Sequence, residues 1–291
     1  MIGDHLQFHT ISNNFIHWSQ LGGLKQRSTT DASIILTHII HSGWVKNLTM
    51  STLAFDIAQF FPSLNHQLLP LILNKVGLDW KVSIFFKNYL VGRKTKYIWN
   101  NFISPSFDIN VGVGQGSALS SILSALYLSP IFYSLEKHLK ILKIPISMIS
   151  FVDNGLFVSQ SRSISHSNAN LFCSYNVISS ILSKYGLITE HGKTDVFHFT
   201  RSHRTYNPPS LDLTSIGSPL LLPKETWRYL GFIFDCKLTF RSHLDFYSNK
   251  VISTIKYMKL LGNPTRDINP LQKRRLYRCC ALPIVLYGFQ L

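Results

Sequence analysis

Acidic residues are scarce in this chain of 291 residues. Asp and Glu together number 14, against 29 Lys and Arg, which gives a formal net charge of +15 at pH 7. Charged residues make up only 15% of the chain and hydrophobic residues 45%, a balance that favours a folded chain over a disordered one. A positive excess of this size favours a polyanionic partner, most often a nucleic acid and sometimes an anionic membrane surface.

Cysteines are few and have no metal-binding pattern. The four are Cys173, Cys236, Cys279 and Cys280, and they show neither CxxC nor zinc-finger spacing. Reduced thiols in a nuclear or cytoplasmic protein are the simplest interpretation. The first ten residues, MIGDHLQFHT, do not place a basic stretch before an apolar run, so we expect no signal peptide and no secretion.

A long, purely apolar run is also absent. Residues 109–135 lack charged side chains, but Ser, Gly and Gln interrupt them. Their second half places Ile122, Leu123, Leu126 and Tyr127 at the spacing of a helix buried on one face. We therefore predict a loop and a core helix here, and not a membrane span, which needs about 20 apolar residues.

The remaining pattern alternates between strands and helices. Residues 53–57 read as a buried strand ending at Asp56, and residues 147–160 as a hairpin with Asp153 at its tip. Further hairpins are predicted around His191 and Gly192 and over residues 227–240, after which the pattern becomes helical. The candidate helix N-caps are Ser28, Thr29, Thr30, Asn65 and Asp79, and the candidate helix ends are Gly77 and Gly186.

The two aspartates at strand ends suggest a metal site. If both strands belong to one sheet, their carboxylates meet at one edge and can bind Mg²⁺, which prefers oxygen ligands. Two such ions about 3.5–4 Å apart can support an in-line phosphoryl transfer. The alternatives are that Asp56 caps a strand end and that Asp153, Asn154 and Gly155 form only a turn, since Asn-Gly is a strong hairpin signal.

A glycine-rich stretch, GVGQGSALSS, precedes the predicted core helix. Its backbone could approach a substrate closely, and Ser117 could cap the helix. The stretch matches neither a P-loop nor a dinucleotide-binding fingerprint, so it identifies no ligand by itself.

Taken in order, five segments resemble the reverse transcriptases of LINE-type (non-LTR) retrotransposons, and most closely the fungal Tad-like group. The segments are FDIAQFFPSLNH, GVGQGSALSSILSALYLSPI, SFVDNGLFVSQ, GLITEHGKT and RYLGFIFDCKLTF, and SQLGGLKQRSTTDA is similar to the fingers motif that precedes them. The resemblance implies an α+β right-hand polymerase fold: partial fingers (1–50), a palm with an antiparallel sheet and a primer-grip hairpin (51–240), and a truncated helical thumb (241–291). It also leads us to expect that endonuclease and RNase H domains are missing.

The same resemblance assigns roles to individual residues. Asp56 and Asp153 would bind two Mg²⁺ ions, and Lys193 would be the general acid toward the pyrophosphate leaving group. Phe61 would stack under the sugar of the incoming dNTP and exclude a ribose 2′-hydroxyl. The other residues implied to contact the nucleotide, the template or the metal are Lys25, Arg27, Ile57, Gln115, Gly116 and Ser117. Alternatively, Phe61 is a core aromatic, Lys193 a solvated turn residue, and Lys25 and Arg27 ordinary surface cations.

Asn154 departs from the family pattern, which has a second Asp at this position. An amide suits the turn but lacks the negative charge of a carboxylate. We therefore expect an enzyme that extends a DNA primer along an RNA template, and we expect the activity of this chain to be impaired. The alternative is a catalytically dead remnant that only binds nucleic acid.

Overall fold

The computed structural model describes residues 2–117, 119–201, 208–217, 219–260 and 268–291. The helices are α1 (Ile2–Ser12), α2 (Thr29–Val45), α3 (Phe60–Ser63), α4 (Leu68–Val76), α5 (Trp80–Leu90), α6 (Ser120–Ile141), α7 (Ile164–Lys184), α8 (Arg241–Leu260), α9 (Pro270–Leu276) and α10 (Leu282–Val285). The strands are β1 (Thr49–Asp56), β2 (Lys94–Thr95), β3 (Ile98–Trp99), β4 (Phe102–Ile103), β5 (Phe107–Asp108), β6 (Ile146–Phe151), β7 (Asn154–Ser161), β8 (Asp195–Phe199), β9 (Thr226–Tyr229) and β10 (Phe232–Asp235). Short 3₁₀ turns cover His191–Lys193 and Thr214–Ile216, and a π-helical turn, Tyr277–Ala281, joins α9 to α10.

The sheet that organises the fold is antiparallel. In the described part of the chain it has four strands, in the order β6–β7–β1–β8. β1 is therefore hydrogen-bonded on both sides, and six of its eight residues are buried. Its β-branched and aromatic side chains suit a central strand covered on both faces.

Two hydrophobic cores cover the two faces of this sheet. Leu53 and Phe55 of β1 and Phe157 of β7 face the first core, with α6 and α7. Met50 of β1 and Phe197 of β8 belong to the second core, with α2 and the β9–β10 hairpin. The sheet is thus covered on both faces, and this packing fixes the positions of the residues at the ends of its strands.

The predicted core helix is confirmed as α6. Thirteen of its residues are buried, and they lie between α4 and α7 rather than along one external stripe. Across the described ranges, no helix has both the length and the apolar character that a membrane crossing requires.

Two predicted helix caps are confirmed. Ser28 accepts a hydrogen bond from the Asp31 amide while the Asp31 side chain accepts one from the Ser28 amide, which is a capping box. Asp79 accepts a hydrogen bond of 2.8 Å from the Lys81 amide at the start of α5.

The predicted cap at Asn65 lies further from the helix than expected. α4 begins at Leu68 with Gln67 in the cap position, and Asn65 Oδ1 accepts from the amides of both, at 3.2 and 2.8 Å respectively. Asn65 therefore still satisfies the first free amides of the helix. Gly77 ends α4 as predicted, with a φ of 101° that favours glycine.

The predicted hairpin around His191 and Gly192 is wrong in its first half. Residues before the turn form an isolated bridge, Ile57 to Thr189, and β8 pairs with β1 instead of with them. The reason is that this segment runs past the end of β1, where the Glu190 amide donates to Asp56 O at 2.8 Å.

The third predicted hairpin is confirmed, with shorter bounds. β9 and β10 pair through a turn at Leu230 and Gly231, whose φ values of 48° and 90° fit a type I′ turn. The pairing stops at Asp235, because its carboxylate accepts from the amides of Thr239 and Phe240 and closes a loop instead.

The region after residue 240 is helical, as predicted, through α8, α9 and α10. Residues 261–267 of this region lie outside the described residues. The four cysteines are free thiols.

Gly155 is required by the pairing of β1 with β7. It faces Phe55 across the two strands, and a Cβ at this position would lie 2.1 Å from the Phe55 ring. The ring occupies the space that any side chain at position 155 would need, so the two residues fit only as a pair.

We expect Gly155→Ala to lower the free energy of unfolding by about 1–3 kcal/mol, the usual effect of overpacking a core. Urea denaturation checks this. Adding Phe55→Leu should recover part of the loss, because it removes the ring that clashes. Gly192→Ala is the matched control, since its Cβ would meet only Glu190 Oε1 at 3.7 Å. An equal loss in both glycine variants would contradict the proposed clash.

Candidate active site

The sheet brings the two predicted carboxylates to one edge. Asp56 is the last residue of β1 and pairs with Asn154, the first residue of β7. One residue earlier, Asp153 O accepts a hydrogen bond of 3.3 Å from the Ile57 amide. The strand register therefore places Asp56, Ile57 and Asp153 side by side, although they are far apart in sequence.

The tip of the β6–β7 hairpin is a two-residue turn formed by Val152 and Asp153. Asn154 and Gly155 already belong to β7, so the interpretation of Asp153, Asn154 and Gly155 as the turn is wrong. Val152 has a φ of 59°, where a β-branched residue is strained by ~1–2 kcal/mol. A turn of this shape normally has glycine at that place.

Asp56 is a buried carboxylate with one free oxygen. The residue is 9% exposed, and its Oδ1 is buried without a hydrogen-bond partner. Its Oδ2 accepts a hydrogen bond of 2.8 Å from Lys193 Nζ. Buried polar atoms are nearly always paired, so the free oxygen marks a position suited to a cation.

Asp153 stands beside this charge. Burial, and then the negative charge of Asp56, raise the pKa of the Asp153 carboxyl above its ordinary value. The site thus concentrates negative charge where solvent cannot screen it well. The hydrogen bond to Asp56 raises the pKa of Lys193, so its ammonium group stays protonated and offsets part of that charge.

Hydrogen bonds with Tyr175 fix the residues on either side of Lys193 in the chain. The Tyr175 hydroxyl on α7 lies 2.8 Å from His191 Nδ1 and 3.2 Å from Thr194 Oγ1, on either side of the lysine. The Lys193 amide itself donates to Glu190 O at 3.1 Å. Its side chain is nevertheless 67% exposed, so it can turn toward a bound molecule.

The side-chain amide of Asn154 is hydrogen-bonded to the neighbouring Asp153. Its Nδ2 donates a hydrogen bond of 3.2 Å to Asp153 Oδ1. This bond occupies one carboxylate oxygen that a carboxylate at position 154 would leave free. The side chain thus ties the first residue of β7 to the hairpin tip.

Phe61 contacts the glycine-rich loop through its backbone. Phe61 is half-buried against the first core, and its carbonyl accepts a hydrogen bond of 2.8 Å from the Val113 amide. Gly112, with a φ of 82°, approaches the Pro62 backbone so closely that a Cβ would lie 2.6 Å from Pro62 O. The loop is thereby fixed next to α3, the short helix that follows Asp56.

The predicted loop residues differ in exposure. Gln115 and Gly116 form an exposed turn, and Ser117 is half-buried. The Ser117 hydroxyl accepts a hydrogen bond of 3.4 Å from the Leu119 amide just before α6. Gln115 and Gly116 are therefore open to a ligand, whereas Ser117 already supports the helix start.

The structure does not bring Lys25 to the carboxylates. Lys25 forms an exposed ion pair with Asp4 of α1, and this pair lowers the pKa of Asp4 to about 2. Arg27 is exposed, and both cations line a cavity of about 480 Å³ beside α1.

Two further residues were not predicted from the sequence. Gln20 lines the same cavity and is hydrogen-bonded to the backbone of Val152 at the hairpin tip. Arg93 approaches the glycine-rich loop, since a Cβ on Gly114 would lie 3.3 Å from its Nη2. A buried glutamine within a polar stretch carries no periodic signal, and Arg93 was visible only as one of several basic residues.

The donor set of the site is small. Within the described ranges, no three His, Cys, Asp or Glu side chains cluster closely enough to hold a metal ion. Asp56 and Asp153 provide two carboxylates, one with a free buried oxygen. Such oxygen donors fit a hard divalent cation that takes its remaining ligands from water or substrate phosphates.

Comparison with solved structures identifies the fold. The chain resembles apo telomerase from Candida tropicalis with a TM-score of 0.58 at 15% identity, covering 99% of this chain and 49% of that one. It resembles telomerase of the same organism in complex with a fragment of telomeric RNA with a TM-score of 0.56 at 14% identity, covering 98% and 44%. This confirms the α+β right-hand polymerase fold expected from the sequence.

The family follows from the sequence comparisons. The family model described as reverse transcriptase (RNA-dependent DNA polymerase) matches residues 1–234. The chain therefore belongs to the reverse transcriptase family, whose members are RNA-directed DNA polymerases and generally use divalent metal ions.

One curated relative is the probable RNA-directed DNA polymerase from transposon BS of Drosophila melanogaster. It is 24% identical over 209 residues, which are 70% of this chain and 22% of the relative. The chain thus spans about a fifth of that relative and about half of the telomerase chains.

The raised pKa of Asp153 predicts a pH-dependent effect on stability. Because the folded chain holds this proton more tightly than the unfolded chain, ionised Asp153 opposes folding at neutral pH. We expect Asp153→Asn to raise the free energy of unfolding at neutral pH. The gain should vanish as the pH falls through the folded-state pKa toward the ordinary value of 3.8. Urea denaturation from neutral pH to about pH 3 measures it.

Asp212→Asn is the control of opposite sign. Hydrogen bonds from Thr214 lower the pKa of Asp212, so its removal should cost stability at neutral pH. A gain in both variants would show that the effect does not come from the buried site, since losing a negative charge from a chain of net charge +15 should by itself lower stability.

Proposed function

We propose that this chain is the polymerase part of a LINE-type (non-LTR) retrotransposon reverse transcriptase, closest to the Tad-like group. It would extend a DNA primer with dNTPs along an RNA template. The observation that carries this proposal is the juxtaposition of Asp56 and Asp153 at one sheet edge with Lys193 bonded to the first carboxylate. The transposon origin of the Drosophila relative supports the retrotransposon assignment.

We assign fingers to residues 1–50, palm to 51–240 and thumb to 241–291. In support, both carboxylates and all of the central sheet except the first two residues of β1 fall within 51–240, and the described residues after 240 are mainly helical. The β9–β10 hairpin, packed on the second core behind the sheet, would serve as the primer grip.

Each residue of the site would have a separate role in the reaction. Asp56 and Asp153, with the Ile57 carbonyl, would hold two Mg²⁺ ions, which when bound supply Lewis-acid stabilisation of the phosphoryl transfer. Phe61 would support the sugar of the incoming dNTP, and the exposed turn at Gln115 and Gly116 would contact the template and the nucleotide. Lys25 and Arg27 would have to leave their present surroundings to reach a triphosphate.

In this proposal, Lys193 would donate a proton to the pyrophosphate leaving group. Its ammonium group is held by Asp56, and this bond keeps its pKa raised. Positive charge arriving at Asp56 would weaken the bond, lower the pKa and free the ammonium group. A lysine released in this way is a better acid at the moment when the leaving group needs a proton.

Asn154 impairs this copy in our proposal. Its amide donates to Asp153 Oδ1 and adds no charge, so cations bind less tightly and align less well. The same observation favours a second function, a catalytically inactive protein that binds nucleic acid. The net charge of +15 supports such binding, which should weaken steeply as salt is raised.

Primer extension decides between the two functions. We expect little extension of a DNA primer on an RNA template by the native chain, and at least about tenfold more by Asn154→Asp, because a restored carboxylate would bind cation and align the reaction. Asp56→Asn should abolish extension in both backgrounds.

Asn47→Asp is the matched control, since Asn47 is an exposed residue at the end of α2. Equal extension by the native chain and Asn154→Asp would show that Asn154 does not impair the enzyme. If neither extends while both bind RNA–DNA hybrid at low salt, the binding function is correct.

Lys193→Met should have opposite effects on cation binding and on turnover. Removing the ammonium group beside Asp56 should tighten Mn²⁺ binding about fivefold, because a positive charge that repels the cation is lost. In the Asn154→Asp background it should slow turnover by at least about a hundredfold, because the proton donor is lost.

Electron paramagnetic resonance of free Mn²⁺ and single-turnover extension measure the two effects. Lys224→Met, which breaks a comparable pair with Asp195, is the control. Slower turnover with weaker Mn²⁺ binding would mean that Lys193 supports the cation site and is not the acid.

A further inference from the structure

We propose that Gln20 is a positioning residue that fixes the tip of the β6–β7 hairpin, and with it Asp153, for the proposed polymerase reaction. Gln20 is 2% exposed, and its side chain holds both backbone groups of Val152. Its Oε1 accepts from the Val152 amide at 3.0 Å, and its Nε2 donates to Val152 O at 3.2 Å. The role in the reaction rests on the proposed function, whereas the hydrogen bonds between Gln20 and Val152 do not depend on it.

The turn needs such support because of its own geometry. Val152 has a φ of 59°, and a β-branched side chain disfavours this conformation. Left alone, the turn would relax to another shape and move Asp153, the next residue, away from Asp56. A primary amide can hold the turn because it offers a donor and an acceptor at the same time.

The segment around Gln20 is itself docked on the hairpin. The Ser150 amide donates to Ser19 O, and the Leu21 amide donates to Ser150 O, both at 2.8 Å. Gln20 pairs with Ser150 as a parallel bridge. Residues 19–21 thus lie hydrogen-bonded along β6, and the backbone that carries the Gln20 side chain is fixed next to the turn.

Gly22 and Gly23 allow the segment that follows Gln20 to pack closely against the hairpin tip and against α6. A Cβ on Gly22 would lie 2.3 Å from the Val152 amide nitrogen, so only glycine permits the close approach. The Gly22 amide also donates to Gln20 Oε1 at 3.1 Å, which orients the glutamine. A Cβ on Gly23 would lie 3.2 Å from Ser121 O in the first turn of α6. The segment therefore lies between the hairpin tip and the helix that follows the glycine-rich loop.

Gln20 acts through Val152 and not on a substrate, so its effect should appear first as local opening. Amide hydrogen exchange in the intact chain, measured by mass spectrometry on peptides from the hairpin tip and from β8, reports this directly. We expect Gln20→Met to speed exchange at the tip by at least about tenfold, as the loss of hydrogen bonds to buried backbone implies, with exchange in β8 unchanged. Gln20→Glu keeps only acceptors and should also open the tip.

The control is Gln160→Met, on the same hairpin at the far end of β7, which should leave exchange at the tip within about twofold of native. In the Val152→Gly background, which removes the strain, Gln20→Met should speed exchange at the tip by less than about threefold. Unchanged exchange at the tip in Gln20→Met, or an equal rise in β8, would overturn the proposal.

Mn²⁺ binding, followed by electron paramagnetic resonance, links the tip to the site. We expect Gln20→Met to weaken Mn²⁺ binding about tenfold, because Asp153 is no longer held beside Asp56. An open tip with unchanged Mn²⁺ affinity would refute positioning of Asp153. If the Asn154→Asp chain binds no Mn²⁺ either, the proposed function fails, and hydrogen exchange alone decides whether Gln20 holds the turn.

Discussion

The antiparallel pairing of β1 with β7 is the constraint on which the site depends. It sets Asp56 opposite Asn154 and brings the backbone of Asp153 to the amide of Ile57. Because strand register has a period of two, a slip of one residue would turn these side chains to the wrong face. The contact of Phe55 with Gly155 excludes such a slip, since only glycine leaves room for the ring.

The two neighbouring carboxylates lower the stability of the fold, and the same negative charge suits the binding of a cation. Two carboxylates share a buried edge, and the raised pKa of Asp153 records the cost. Lys193 relieves part of it by bonding to Asp56, while Asp56 Oδ1 stays free. The edge thus carries a free carboxylate oxygen beside a second carboxylate, in a family that generally uses divalent metal ions.

Support for the site comes from distant parts of the chain. Gln20 reaches the hairpin tip from the segment before α2, and Tyr175 on α7 holds the residues on both sides of Lys193. Both side chains are buried and polar, and both bind to backbone or neighbouring polar groups rather than to a ligand. They show how a strained turn and an exposed lysine are kept in place by the two layers packed on the sheet.

Elements whose signals are local or strongly periodic can be predicted from the amino-acid sequence alone. These include the strand ending at Asp56, the buried helix α6, the caps at Ser28 and Asp79, and the ordered motifs that identify the family. Apolar spacing and cap chemistry act within a few residues, so they can be read from one chain. Three features become visible only in the folded chain: Asn154 and Gly155 lie in a strand instead of a turn, Lys193 bonds to Asp56, and Gln20 holds Val152. Each depends on partners brought together by strand register and sheet packing, which no local pattern in the sequence specifies.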